Sequence, residues 1–214
     1  MKRRIGYIIV FLLLIPLLLY VFGGGFGLKQ PTIKLPKDLH FAHRGVTLNH
    51  PENTIEAIKA VASYGLNGIE LDIRTTADDS LVIFHDADGN RMLNDSRVVK
   101  QINYSELTKL NIQGKDSIKY IVPTVRQAMS CISDSVYIYF DVKAADFRTI
   151  ESLVNYLGQT TKMQTTILAS SRMLPLAFAK RCNPKIVTAL EGYGPGKEGV
   201  LKFIPKKWQP DFVA

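Results

Sequence analysis

Residues 40–86 read HFAHRGVTLNHPENTIEAIKAVASYGLNGIELDIRTTADDSLVIFHD, and this stretch decides the fold. His40 to His43 predicts a short strand that ends in Arg44-Gly45. Asn53 then reads as the N-cap of a helix, with Glu56 reciprocating three residues on and Pro51 just outside. Ile55, Ile58, Val61 and Ala62 give that helix an apolar stripe, and Gly65 stops it. Gly68 to Ile73 is the next strand. Successive side chains of a strand point to opposite faces, so Ile69, Leu71 and Ile73 share one face while Glu70, Asp72 and Arg74 share the other.

A strand in a βα pattern is covered on both faces, so these carboxylates need partners. Two carboxylates at i and i+2 suit a hard divalent cation. The alternative is neutralisation by Arg74 and nearby lysines. After a turn at Ala77 to Asp79, Leu81 to Phe84 predicts a third strand ending at His85-Asp86. In a parallel β/α domain the carboxyl ends of the strands form the binding face, which brings His43, Arg44, Glu70, Asp72 and His85 together. A lone histidine is usually a packing residue, but two at equivalent strand ends beside an acidic pair point to a functional site.

Downstream the alternation continues. Ala87 to Tyr120 is an irregular excursion with a short helix at Tyr104 to Leu110, placed where substrate selection occurs. Val125 to Ile132 is a helix capped by Thr124, and Val136 to Lys143 a strand with Tyr137, Tyr139, Asp141 and Lys143 on one face. Asp141 thus offers a third carboxylate, and Lys143 a cation able to offset the cluster or meet an anion. Phe147 to Leu157 and Leu174 to Cys182 are helices, and Thr165 to Ala169 and Ile186 to Leu190 are strands. Gly192 to Gly199 is a loop without a dinucleotide fingerprint, and Asp211 to Ala214 begins one more strand. A closed (β/α)₈ barrel needs about 250 residues, so the expected fold is an α/β barrel of the TIM type, incomplete at its C-terminal side and preceded by one hydrophobic helix.

That helix is the charge-free run Ile5 to Phe22, which follows Lys2, Arg3 and Arg4 and would extend about 27 Å. It reads as a retained membrane anchor, a cleaved signal or a buried helix. The first two place the folded domain outside the cytoplasm, anchored or secreted. The expected organisation is an anchor or signal over 1–28, a linker over 29–38 with Pro31 and Pro36, and the barrel domain over 39–214. The 214 residues suffice for one domain with a sizeable core. The net charge of +8 comes without a stripe of basic residues interleaved with aromatics, which disfavours nucleic acid as partner and suits an anionic substrate or membrane surface. Cys131 and Cys182 form neither a metal pair nor a redox dithiol; a disulfide and two isolated buried thiols both fit.

His43-Arg44-Gly45, Pro51-Glu52-Asn53-Thr54, Gly68-Ile69-Glu70-Leu71-Asp72-Ile73, Val82-Ile83-Phe84-His85-Asp86 and Phe140-Asp141-Val142-Lys143 together resemble the glycerophosphodiester phosphodiesterase family, over about Leu39 to Leu190. The combination in this order is specific, whereas each piece alone is weak. The resemblance implies a TIM-barrel phosphodiesterase that uses one divalent cation, Ca²⁺ or Mg²⁺, to hydrolyse glycerophosphodiesters to glycerol 3-phosphate and an alcohol. It matches Glu70 and Asp72 to metal ligands, and Asp141 to a third ligand that is usually glutamate. It also matches His43 and His85 to the catalytic histidines, Arg44 to a phosphate-binding residue, and Lys143 to the lysine after the third ligand. Departures fall at Gly89, Met92 and Leu93, although Arg91 is retained, and at Arg172; the family's C-terminal Thr-Val-Asn and Thr-Asp segments are absent. Two alternatives remain: a catalytically weak, membrane-tethered domain that binds phosphate headgroups, and a phospholipid or sphingomyelin phosphodiesterase on the same barrel.

Overall fold

The computed structural model describes residues 2–29, 34–144, 146–192 and 197–213, with side chains of the first helix described from Leu12 onward. That helix, α1 (Lys2–Phe22), contains Pro16. The chain leaves it through Gly23, whose carbonyl accepts from Lys207 N at 2.9 Å, while the Gly25 carbonyl accepts from Lys206 N at 3.0 Å. Among the described residues no helix is long and apolar enough to cross a membrane. The expectation of a membrane anchor, and of a domain held outside the cytoplasm by it, is therefore corrected.

Strand β1 (Phe41–His43) leads to helix α2 (Ile55–Ser63). The helix buries Ala57, Ile58 and Val61. Its N-cap is Thr54, whose hydroxyl accepts from Ala57 N at 3.2 Å, and not Asn53 as expected. Asn53 is buried in a left-handed conformation (φ 59°) with its amide turned to the site. Gly45 is also left-handed, at φ 83°, and a Cβ there would meet the backbone of Ala57 at 2.9 Å. Glycine is what lets the helix come that close.

Strands β2 (Gly68–Thr75) and β3 (Leu81–Ile83) are antiparallel, which corrects the expectation that the third strand continues a parallel alternation. The turn from Thr76 to Ser80 is too short for a crossover, which needs about a dozen residues or more. The excursion that follows is ordered: β4 (Asp88–Gly89), α3 (Asn90–Leu93), β5 (Asp95–Val98) and α4 (Tyr104–Leu107). It closes over its own small core of Val82, Phe84, Ile102, Leu107, Ile112 and Tyr120.

Helix α5 (Val125–Cys131) starts at the expected Thr124, in a reciprocal cap with Gln127. Then come β6 (Tyr137–Val142), α6 (Phe147–Gly158), β7 (Thr166–Ser170), α7 (Met173–Cys182), β8 (Val187–Leu190) and β9 (Phe212–Val213). In α6 the buried Ile150, Leu153, Val154 and Leu157 recur at helical spacing. Truncating such a leucine to alanine costs about 2–5 kcal/mol. Of the loop expected over Gly192 to Gly199, residues 193–196 lie outside the described residues, and Lys197–Phe203 is a run of 3-10 helix.

The sheet order is β1-β2-β6-β7-β8-β9, every pair parallel, with β3 added on β2. This is the expected incomplete α/β barrel. Ile69, Leu71, Ile73, Ile138 and Phe140 turn outward into the main core with α2, α5 and α6. Phe41, Tyr139, Ile167, Ala169, Val187 and Ala189 turn inward. Near the chain's end, Asp211 receives hydrogen bonds from Thr188 N at 2.9 Å and from the ammoniums of Lys29 and Lys180. Cys131 and Cys182 are free, half-buried thiols.

Candidate active site

The parallel register sets Asp72 beside Asp141, and His43 beside Glu70. His43 ends β1 and Asp141 is the last residue but one of β6, and the register sets Glu70 and Asp72 of β2 beside them, all on the inward face. Carboxylate oxygens of Glu70, Asp72 and Asp141 lie within 4.8 Å of one another. All three are essentially buried. Burial first, and then the charge of Asp72 with that of Asp141, push the Glu70 carboxyl up from 4.5 to about 7, although the Arg44 amide opposes this.

The residues fit a hard divalent cation. Asp72 is 1% exposed, yet its Oδ1 is a buried oxygen without a hydrogen-bond partner. That oxygen faces Lys143 Nζ at 3.3 Å, and the same ammonium bonds Asp141. Burial alone would depress the Lys143 ammonium, but its hydrogen bond to Asp141 and the charges of Asp141 and Asp72 hold it above its ordinary value. A positive charge is thus already favoured where the carboxylates meet. An oxygen-only donor set of this kind suits Ca²⁺ or Mg²⁺ better than a softer metal.

Arg44 is the pivot of the mouth. It sits at φ 59°, a conformation costing about 1–3 kcal/mol in a non-glycine residue. In return its amide donates to Glu70 Oε2 at 2.9 Å, and its guanidinium lies 2.9 Å from Glu52 and 3.2 Å from Asp72 Oδ2. His43 Nε2 is 3.9 Å from Glu70 Oε2 and its ring is largely exposed. His85 reaches the same mouth because Phe84 N bonds the Asp72 carbonyl at 3.0 Å and Arg74 Nε bonds the His85 carbonyl at 2.7 Å. Every candidate residue read from the sequence is therefore at one end of the sheet.

Several partners were not foreseen. Asn53 donates to Asp72 Oδ2 at 2.9 Å. Glu52 bonds both Arg44 and Arg91, and Arg91 bonds Asp86 at 2.7 Å. Burial would raise the Asp86 carboxyl, but its bonds from Arg91 and His85 hold it below the usual carboxylate range. The Pro51-Glu52-Asn53-Thr54 motif was the available signal for Glu52 and Asn53. The arginine's partners could not be read from spacing. Beside this network lies a cavity of about 350 Å³ lined by His43, Arg44, His50, Glu52, Gln113 and Lys115, among others.

Half of a parallel α/β barrel with a buried carboxylate triad, flanked at one mouth by arginine, lysine and histidines, defines a class of protein whose site can hold a cation and an anion side by side. Residues 43–190 match the glycerophosphoryl diester phosphodiesterase family, and the chain belongs to it. It is 28% identical over 156 residues to glycerophosphodiester phosphodiesterase 1 of Bos taurus, an alignment covering 70% of this chain and 47% of that protein. Among solved structures it resembles a glycerophosphodiester phosphodiesterase from Agrobacterium tumefaciens at 26% identity and a TM-score of 0.62, covering 71% of this chain and 65% of that one. An Oleispira antarctica phosphodiesterase, solved in complex with the product sn-glycerol-3-phosphate, shares the fold at a TM-score of 0.70 and 23% identity, over 78% of this chain and 71% of that one. The chain spans about half the length of the first curated relatives it matches.

Proposed function

We propose that this chain hydrolyses glycerophosphodiesters to an alcohol and glycerol 3-phosphate. The observation that carries the reading is the convergence of Glu70, Asp72 and Asp141, with oxygens within 4.8 Å of one another, at the mouth reached by Arg44 and two histidines. Glu70, Asp72 and Asp141 would hold one divalent ion, Ca²⁺ or Mg²⁺, whose chemistry is to neutralise phosphate charge. Arg44 and Lys143 supply the remaining positive charge for the phosphoryl oxygens, with Arg44 fixed by Glu52 and Glu70 before substrate arrives.

His43 takes the proton of the glycerol 2-hydroxyl as its oxygen attacks phosphorus. His85 gives a proton to the departing alcohol as the phosphorus–oxygen bond breaks. Water then opens the cyclic phosphate with the two histidines in exchanged roles. The contact between His85 Nδ1 and Asp86 at 2.7 Å leaves Nε2 as the nitrogen for this exchange. The Arg91 bridge between Asp86 and Glu52 holds the two halves of the mouth in register.

The test is an assay of glycerophosphocholine and glycerophosphoethanolamine, with and without chelator, beside intact phospholipid and sphingomyelin. Chelator-sensitive release of glycerol 3-phosphate is expected. Turnover of the intact lipids alone would transfer the site to a lipid phosphodiesterase, and binding without turnover of any of them would overturn the enzymatic reading.

A further inference from the structure

The cavity beside the mouth carries a charge that the proposed reaction leaves unused. His43 and Arg44 line it from the end of β1, and Gln113, Gly114 and Lys115 line it from the tip of the excursion. That tip is tied down. Gln113 N donates to the Met92 carbonyl at 2.7 Å, Ile112 N to the Tyr120 carbonyl at 2.8 Å, and the Tyr120 hydroxyl to Asp116 Oδ2 at 2.8 Å. Gly114 sits so close to its neighbours that an added Cβ would meet the Tyr120 ring at 3.0 Å and Pro51 at 3.3 Å. The excursion is thereby pressed against the turn at Pro51 and Glu52, and about 350 Å³ stays open beside the contact, enough for a small ligand group. None of Glu70, Asp72 and Asp141 lines this space, whereas Arg44 does. A phosphate held by Arg44 and the cation therefore has the cavity on its far side. The glycerol arm of the diester is folded back on phosphorus when its 2-hydroxyl attacks, so the other arm, the departing alcohol, is the one free to extend into the cavity.

Charge decides which alcohol fits. The carboxylate of the lining, Glu52, is already bonded by Arg44 at 2.9 Å and by Arg91 at 2.6 Å, so it has no charge to offer a cationic headgroup. Lys115 is exposed on the rim, and among the described residues its ammonium has no carboxylate partner. The adjoining Asp116 is taken by Tyr120. His50 adds a buried Nδ1 without a hydrogen-bond partner, a polar atom on the same wall that the protein itself leaves unmet. No phenylalanine, tyrosine or tryptophan lines the cavity, so it lacks the aromatic face that a quaternary ammonium prefers. Met92, one of the departures from the family pattern, is part of the lining, which makes this surface particular to the chain. We propose that the cavity receives the departing alcohol and that Lys115 is a specificity-determining residue, favouring alcohols that carry an anionic group over those that carry a cation. This deepens the phosphodiesterase reading and rests on it, through Arg44 as the phosphate-binding residue.

The experiment is steady-state hydrolysis, by the full chain with Ca²⁺ or Mg²⁺, of glycerophosphoinositol and glycerophosphoinositol 4-phosphate, which differ by one anion on the alcohol, beside glycerophosphocholine, whose alcohol is a cation. Lys115→Ala, Lys115→Glu and Lys115→Arg are compared with the unaltered chain. Lys115 is exposed, so these changes leave the core untouched. The expected kcat/KM for the 4-phosphate is about 3–5-fold above that for glycerophosphoinositol, the strength of an exposed ion pair, with glycerophosphocholine below both. That ratio should fall to about 1 in Lys115→Ala, fall below it in Lys115→Glu, return in Lys115→Arg, and shrink as salt screens the charge. A ratio of about 1 in the unaltered chain, or a ratio unmoved by Lys115→Ala and Lys115→Glu, with the diesters still hydrolysed, would overturn the role of Lys115 and leave the phosphodiesterase reading standing. Hydrolysis of none of the three would overturn both.

Discussion

Asp86 Oδ1 lies 2.7 Å from His85 Nδ1, and the other oxygen of the same carboxylate is held by Arg91 at 2.7 Å. The imidazole is thereby fixed in orientation by a group that itself cannot turn. Asp86→Ala should lower kcat by about 10²-fold through misplacement of the ring, with KM little changed because Asp86 is not among the phosphate-binding groups. His85→Ala should cost about 10²–10⁴-fold. Steady-state kinetics on both variants checks the order, and equal kcat in Asp86→Ala and the unaltered chain would remove the orienting role.

Stability should depend on pH in a direction set by Glu70. Its carboxyl titrates at about 7 in the folded chain against 4.5 for the ordinary group, so within that window the folded state holds the extra proton. Stability is therefore lost as pH rises through the window. The chelator-treated protein should melt at a lower temperature at about pH 8 than at about pH 5, and saturating Ca²⁺ or Mg²⁺ should reverse most of the loss, because ligand that binds only the folded state adds stability. Thermal melts with and without chelator measure both effects.

A second charged cluster, remote in sequence from the motifs, closes the sheet near β9. Burial would raise the Asp211 carboxyl, but hydrogen bonds from Lys180 and Lys29 outweigh it and hold the group below its usual range. Lys180 is itself only 7% exposed. Replacing Asp211 with leucine leaves that buried ammonium without its counter-charge, held only by the Ile186 carbonyl, and should destabilise the fold by about 3–5 kcal/mol. Urea unfolding gives the value. A loss within experimental error would show that the Ile186 carbonyl and solvent, and not Asp211, satisfy Lys180.

Gly45→Ala should be disproportionately harmful for so small a change. The residue is at φ 83°, and the added Cβ would lie 2.9 Å from Ala57 backbone atoms. A strained site of this type costs roughly 1–3 kcal/mol, and relief by moving the loop displaces Arg44 as well. Reduced stability together with a raised KM for the phosphodiester is the expected pair of results, read by thermal melts and kinetics.

The sequence carried the strands and helices of the sheet closely, because their apolar residues keep a clean period of two or of three to four. Thr124 was legible as a cap, and α6 from Phe147 was legible from its stripe. The direction of β3 follows from the five residues Thr76 to Ser80, which are too few for a crossover; the histidine beyond its end carries no sign of direction. Asn53 looked like a cap because that is what asparagine commonly does before a helix; its real partner, Asp72, is remote in sequence. The carboxylates at Glu70, Asp72 and Asp141 were found because alternation places them on one face. Ion pairs such as Arg91 with Glu52 depend on how the excursion folds back, and no local period encodes that.

The proposed reaction has a carboxylate-held cation and two histidines at one mouth cleave a phosphodiester. Phosphorus NMR of glycerophosphoethanolamine incubated with the purified full chain tests it most directly. Conversion to glycerol 3-phosphate is expected with Ca²⁺ or Mg²⁺, none with chelator, and a rate lowered about 10²–10⁴-fold in His43→Ala and in His85→Ala. Conversion at an undiminished rate in both histidine variants, or no conversion with either ion present, would contradict it.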